Sequence, residues 1–274
     1  MQPINNVIKQ VENIGFTNLD QRVKAGEEED EIAHLAGTFN GMLARLKSAF
    51  EAQKSFVSNA SHELRTPLTA MNGQIEVALL KKRTEQEYKN TLLSIKEDIS
   101  EMTDLSNSLL DLASVESGVA KIGFEPCRID EIMWQAKEDL KQKRQDANIN
   151  IDFGEIPEAE EEFMVAANEQ LLKTAFVNLM ENGCKFSTDK TVNVLMYFPE
   201  KMLKITFHNI GNPIPKSEIN NLFVPFFRSE NTKKIKGHGI GLPLTKKIIE
   251  IHNGNLAVSS NETEGTIFTI IINR

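Results

Sequence analysis

Residues 57–78 read Val57-Ser58-Asn59-Ala60-Ser61-His62-Glu63-Leu64-Arg65-Thr66-Pro67-Leu68-Thr69-Ala70-Met71-Asn72-Gly73-Gln74-Ile75-Glu76-Val77-Ala78. Val57, Ala60, Leu64, Met71, Ile75 and Ala78 recur at spacings of 3, 4 and 7. That period marks a helix with one apolar seam, not a strand and not a helix buried all round. From residue 49 to about 82 only Pro67 and Gly73 interrupt it. The polar turn Lys81-Lys82-Arg83-Thr84 ends the run. A second seam then passes through Leu92, Ile95, Ile99, Met102, Leu105, Leu109 and Leu112 and stops at Gly118. Two long amphipathic helices joined by a short turn make a helical hairpin. Each stripe is too wide to stay wet, so two hairpins are expected to pair as an antiparallel four-helix bundle in a dimer.

Upstream, Ile4, Val7, Ile8, Val11 and Ile14 predict a helix over 4–14, closed by Gly15. Residues 16–30 are polar and irregular. They end in the acidic run Glu27-Glu28-Glu29-Asp30-Glu31, which reads as a solvated connector with a helix N-terminal charge bias. The next helix carries Ile32, Leu35, Phe39, Met42, Leu43 and Leu46 on one stripe and runs on into the seam. Downstream the character changes. Short or alternating apolar runs at 148–153, 192–198, 203–207, 256–259 and 266–272 predict strands. Helical stretches are expected at 129–147, 168–185 and 242–252, giving an α+β sandwich with helices on one face of a sheet.

Composition bounds the function. The chain has 274 residues, about two domains by length. Its 31 Lys+Arg against 39 Asp+Glu leave a net charge of −8. Nucleic-acid binding needs cationic neutralisation of phosphates, so an acidic chain argues against that partner. Cys127 and Cys184 form neither a disulfide framework nor a metal-ligand pair, and read as two buried thiols in a reducing compartment. No run of about 18 apolar residues is present to span a bilayer.

Three clusters carry chemistry. His62 lies two residues from both Ala60 and Leu64. Two residues turn a helix by about 200°, so the imidazole points away from the seam. A helical surface histidine alone is unremarkable. Flanked by Ser61 and Glu63, a neutral ring can act as a nucleophile while Glu63 accepts the other ring N–H. Pro67 withholds the N–H that would bond the Glu63 carbonyl and should bend the helix. In the second cluster, Asn178, Asn182 and Lys185 are spaced i, i+4, i+7 and share one helical face. Two amides and an ammonium suit Mg²⁺ held by oxygen ligands beside phosphate, although a plain solvent face would also explain them. In the third, Gly237, Gly239 and Gly241 alternate just before a helix, where backbone N–H groups can approach a phosphate.

The string Ser61-His62-Glu63-Leu64-Arg65-Thr66-Pro67-Leu68 resembles the H-box of sensor histidine kinases, and the resemblance extends over nearly the whole chain. It implies that His62 is the phosphoacceptor, Glu63 the base and Thr66 the residue that positions water when a regulator is dephosphorylated. Asn178-Leu179-Met180-Glu181-Asn182 through Ser187 is similar to the family's N-box. There Asn182 would ligate Mg²⁺, with Asn178 and Lys185 supporting metal and phosphates and Phe186 near the nucleotide. Residues 221–228, ending in Arg228, resemble the F-box. Gly237-His238-Gly239-Ile240-Gly241-Leu242 resembles a glycine box, with 229–236 between them as an ATP lid made basic by Lys233, Lys234 and Lys236. Gly265-Thr266 resembles the last glycine box.

The implied architecture is three modules. A HAMP-like signal relay occupies 1–48, a dimerisation and histidine phosphotransfer hairpin 49–118, and an α/β sandwich ATP-binding domain of the GHKL (Bergerat) type 119–274. The implied activity is autophosphorylation of His62 from Mg-ATP and transfer to an Asp of a separate response regulator, with phosphatase activity toward it. The chain is expected to be the cytoplasmic part of a homodimeric bacterial inner-membrane sensor, anchored by transmembrane segments outside this sequence. The first glycine box departs from the pattern. Asn209 stands where the family has Asp, Gly211 follows, and Pro213 replaces a second Gly. An amide accepts a hydrogen bond more weakly than a carboxylate, and Pro213 removes a donor. The alternative is therefore a catalytically weak dimeric scaffold or a phosphatase-dominant homologue. A related ATPase doing conformational work is a third reading, against which the phosphoacceptor string argues.

Overall fold

The computed structural model describes residues 2–15, 18–24, 31–117, 123–156, 158–199, 202–229, 232 and 235–273. Two compact units divide it, Met1–Ala70 and Met71–Arg274.

The first unit holds α1 (Gln2–Glu12) and most of α2 (Glu31–Leu79). Val7, Val23 and Ala36 are buried, with Val11, Ile14, Ile32 and Phe39 packed around them. Helix α1 ends before the expected Gly15. The Asn18 carboxamide takes the Gly15 N–H at 2.6 Å and donates to the Asn13 carbonyl, so the chain turns early. Residues 20–24 form no regular element, yet the backbone of Val23 and Lys24 is paired through side chains. Asn40 on α2 accepts the Val23 N–H and donates to its carbonyl, both at 2.9 Å. Gln10 on α1 does the same for Lys24, at 2.9 and 3.3 Å. The segment is thus held between two helices by amides that imitate a neighbouring strand. Residues 27–30 of the acidic run lie outside the described residues; Glu31 opens α2. Helix α2 continues through Pro67 for 49 residues in all.

The second unit begins with the last turns of α2. Helix α3 (Glu85–Ser117) starts with a capping box, in which Glu87 accepts the Thr84 N–H and hydroxyl while Thr84 Oγ1 receives the Glu87 N–H. These bonds hold the Glu87 carboxyl below its ordinary value. Gln74 Nε2 donates to Asp98 Oδ2 at 3.1 Å, joining the end of α2 to α3. Gly118, where the second seam was expected to stop, lies outside the described residues.

Five strands form the main sheet in the order β2 (Asn148–Phe153), β4 (Thr191–Tyr197), β5 (Met202–Asn209), β7 (Gly265–Asn273), β6 (Gly254–Asn261). β2 and β4 are parallel; the other pairs are antiparallel. The register places Val194 beside Phe207, Ile205 beside Ile270 and Phe207 beside Phe268. All five side chains are buried, so one face of the sheet is dry. Helices α4 (Ile129–Lys143), α5 (Glu169–Phe186) and α6 (Gly241–Ile251) supply its cover, with Leu172, Phe176, Leu179 and Ile248 fully buried. The sandwich is as expected. Not expected was a second sheet, β1 (Glu125–Arg128) against β3 (Met164–Ala167). Of the two thiols, Cys184 is buried, which pushes its pKa up to about 11, while Cys127 is only half-buried. Helix α3 packs on α6, and its Leu105, Leu112 and Val115 are buried.

Candidate nucleotide site and phosphoacceptor helix

Helix α5 is positioned by its N-cap, where Asn168 Oδ1 accepts the Leu171 N–H at 3.0 Å. Its apolar residues face the sheet, which turns Asn178, Asn182 and Lys185 together toward a cavity of about 570 Å³. Asn178 Nδ2 donates to the Gly241 carbonyl at 3.4 Å, tying α5 to the start of α6. Among the described residues the Asn182 carboxamide has no hydrogen-bond partner, so its oxygen is free to meet a ligand. Burial holds the Lys185 ammonium below its ordinary value, and the nearby Glu181 carboxylate works in the opposite direction. An ammonium penalised by burial is poised to gain from an anion, because a phosphate would favour its charged form.

The glycine segment makes the opposite wall. Gly239 has φ +70°, and a Cβ there would sit 2.7 Å from the Phe227 carbonyl oxygen, so only glycine closes this turn without strain. Gly237 lies against Lys185 Nζ. Ile240, the N-cap of α6, brings no side-chain cap, and Pro243 falls in the first turn where no intrahelical donor is needed. Gly241 and Leu242 consequently offer backbone N–H groups at a helix N-terminus lining the cavity. His238 lines the same wall. Arg228 lines it too, and donates to the Thr232 and Ile235 carbonyls at 3.2 and 2.6 Å. Its guanidinium thus ties Thr232 and Ile235 to the end of this wall. Lys233 and Lys234 lie outside the described residues.

The strand wall brings Asn209, Thr266 and Phe268 to the cavity, with Phe186 and Pro213 beside them. Gly211 packs against the Phe186 carbonyl, and Ile214 N–H donates to Ser260 Oγ, which fixes the loop carrying Pro213. Sequence reasoning missed a fourth wall. Glu101, Asp104 and Ser108 of α3 also line the cavity. Glu101 Oε1 lies 2.6 Å from Lys236 Nζ, and Asp104 accepts from Lys143 at 3.4 Å. Only their spacing on α3, between seam positions, hinted at a shared face.

In the first unit His62 is exposed on α2, as its offset from the seam required. Glu63 is half-buried, and Thr66 Oγ1 donates to the His62 carbonyl at 3.1 Å.

A helical cover on a mixed sheet, with a cavity at the glycine-rich start of a helix, defines a class. Residues 167–274 match the family of histidine kinase-, DNA gyrase B- and HSP90-like ATPases. Residues 52–118 match the His kinase A (phospho-acceptor) domain, and 1–48 the HAMP domain. These consecutive matches take in most of the chain, and the chain belongs to the sensor histidine kinases. It is 28% identical over 273 residues to the sensor histidine kinase CusS of Escherichia coli, covering 98% of this chain and 56% of that protein. It therefore spans about half the length of that curated relative. Among solved structures, the histidine kinase AdeS of Acinetobacter baumannii aligns with a TM-score of 0.59 at 21% identity, over 77% of this chain and 97% of that one. The histidine kinase ThkA, solved in complex with the response regulator protein TrrA, aligns with a TM-score of 0.57 at 20% identity, over 83% and 63%. Both likenesses establish the fold. Among the described residues no helix is long and apolar enough to cross a membrane.

Proposed function

We propose that this chain is an ATP-dependent protein-histidine kinase that phosphorylates His62. The observation that carries this reading is the exposed His62 on α2 in a chain whose other unit holds a cavity lined by Asn182, Lys185 and the open N-terminus of α6. The polyphosphate lies along Lys185 and the Gly237–Leu242 backbone. Asn182, with Asn178 in support, would hold Mg²⁺, which would neutralise phosphate charge. The donor set fits a hard cation, because Asn182 presents an unpaired amide oxygen. A ring nitrogen of His62 attacks the γ-phosphorus, the bond to the β-phosphate oxygen breaks, and ADP leaves. Glu63 takes the ring proton. The base is taken to the wall of Phe186, Asn209, Gly211 and Thr266.

The same reading assigns residues 1–48 to signal relay, 49–118 to dimerisation and phosphotransfer, and 119–274 to nucleotide binding. The phosphoryl group passes to an Asp of a response regulator, and Thr66 positions water for its removal. The chain works as a homodimer on the cytoplasmic face of a bacterial inner membrane. Incubation with γ-labelled ATP and Mg²⁺ tests this. The wild-type chain should gain an acid-labile label, while His62→Ala should bind nucleotide and gain none. Asn182→Ala should lose labelling through loss of Mg²⁺. Retained acid-labile label in His62→Ala would sink the assignment, and unchanged labelling in Asn182→Ala would remove it as the metal ligand.

A further inference from the structure

Asn209, the last residue of β5, is 4% exposed and still lines the cavity. Among the described residues its carboxamide has no hydrogen-bond partner. A buried amide that meets only a cavity is costly unless something in the cavity bonds it. Its register partner Thr266 on β7 is 5% exposed, lines the same wall, and shares a hydrogen with Ser260 Oγ at 2.8 Å. The carboxylates lining the cavity, Glu101, Asp104 and Glu181, all stand on α3 and α5. Lys185 and the glycine turn hold the phosphate side. What meets the base on the strand wall is therefore neutral, and each polar group there can donate as well as accept.

We propose that this wall reads position 6 of a purine in either sense, so that the site accepts 6-oxopurine nucleotides as well as 6-aminopurine ones. The inference rests on the nucleotide-binding reading above. Asn209 Oδ1 accepts from an exocyclic amino N–H. A half-turn of the amide about χ2 presents Nδ2 to a carbonyl O6 instead, and that torsion is soft. No neighbouring hydrogen bond holds the amide in one sense. A carboxylate at this place would accept from the amino group but oppose O6 with like charge, leaving both oxygens unbonded.

Displacement of a fluorescent ATP analogue from the full chain in Mg²⁺ tests the inference. The competitors are ATP and inosine triphosphate, which carries O6 without a 2-amino group. The inosine nucleotide should bind within about tenfold of ATP, the scale on which a satisfied site tolerates an analogue. Asn209→Asp should shift the ratio in favour of ATP by a further factor of about ten or more. Asn209→Asp buries a charge, so Asn209→Leu is a second variant that keeps the volume and bonds neither base. It should weaken both nucleotides by like factors. ATP displacing the probe while the inosine nucleotide falls beyond tenfold overturns the inference and leaves the nucleotide reading standing. So does an unchanged ratio in folded Asn209→Asp, or unequal losses in Asn209→Leu. Failure of ATP itself to displace or bind ends the nucleotide reading instead.

Discussion

His252, the buried C-cap of α6, is satisfied only in its neutral form. Nδ1 bonds the Ile248 carbonyl at 2.7 Å, and Nε2 accepts the Asn168 N–H at 3.0 Å. Phe124 meets the ring edge-on at 5.0 Å. Protonation would set a second ring N–H against the Asn168 donor. Burial accordingly lowers the His252 pKa from 6.5, with the Ile248 bond opposing the shift. The unfolded state then binds this proton more readily than the fold does. The stabilisation is complete above about pH 6.5 and is lost as pH falls through the lower, folded value. Thermal melts of the wild-type chain from pH 8 to pH 5 should show the second unit losing stability below about pH 6.5. His252→Gln should remove that component of the slope. An identical slope in wild type and variant would show that other groups carry it. The same ring fixes Asn168, the N-cap of α5, so a residue far from the cavity sets the helix that lines it.

Helix α5 also lies close against the sheet at Gly183. Gly183 faces Val192 on β4, and a methyl at 183 would overlap the Val192 side chain. Alanine would gain helix propensity of about 1 kcal/mol, but overpacking in a dry interface costs about 1–3 kcal/mol. Gly183→Ala should therefore lower stability by roughly 1 kcal/mol and shift α5, weakening nucleotide binding with it. A chemical denaturation midpoint equal to wild type would show that the interface yields. This contact was not legible in the N-box, which showed only that Asn178, Asn182 and Lys185 share a face. Strands of six to nine residues such as β2, β4, β5 and β7 were legible because alternation needs that length to show itself. β1 and β3, four residues each, are too short to display a period, and their pairing across 125–167 is a tertiary event. Glu101, Asp104 and Ser108 escaped for the same reason. Their role depends on α3 packing against α6, which no local pattern encodes.

Over the molecule, the seams that opened the sequence are only partly dry. On α3 Leu105 and Leu112 are buried, whereas Leu92 is 67% and Ile99 52% exposed. On α2 Met71 and Ala78 are buried while Val57 is 58% exposed, and Leu35, Met42, Leu46 and Phe50 are exposed as well. A recurring apolar stripe of this length is a large liability for a lone chain in water. A second copy covering it is the homodimer of the proposed function. Light scattering should give a mass twice 30.8 kDa, and Val57→Glu with Ile99→Lys should shift it toward the single chain. A monomeric wild-type chain at micromolar concentration would contradict this.

The amide clips of the first unit have a kinetic consequence. The Val23 and Lys24 N–H groups lie in a segment without secondary structure, yet each is sequestered by a side chain, Asn40 and Gln10 respectively. Their exchange with deuterium should be slow beside that of their neighbours, and should be gated by rotation of two amide side chains rather than by melting of a helix. Asn40→Ala should release Val23 alone and Gln10→Ala Lys24 alone, so the two protons form a pair of independent clocks. Each would report whether its own helix, α2 or α1, still grips the connector.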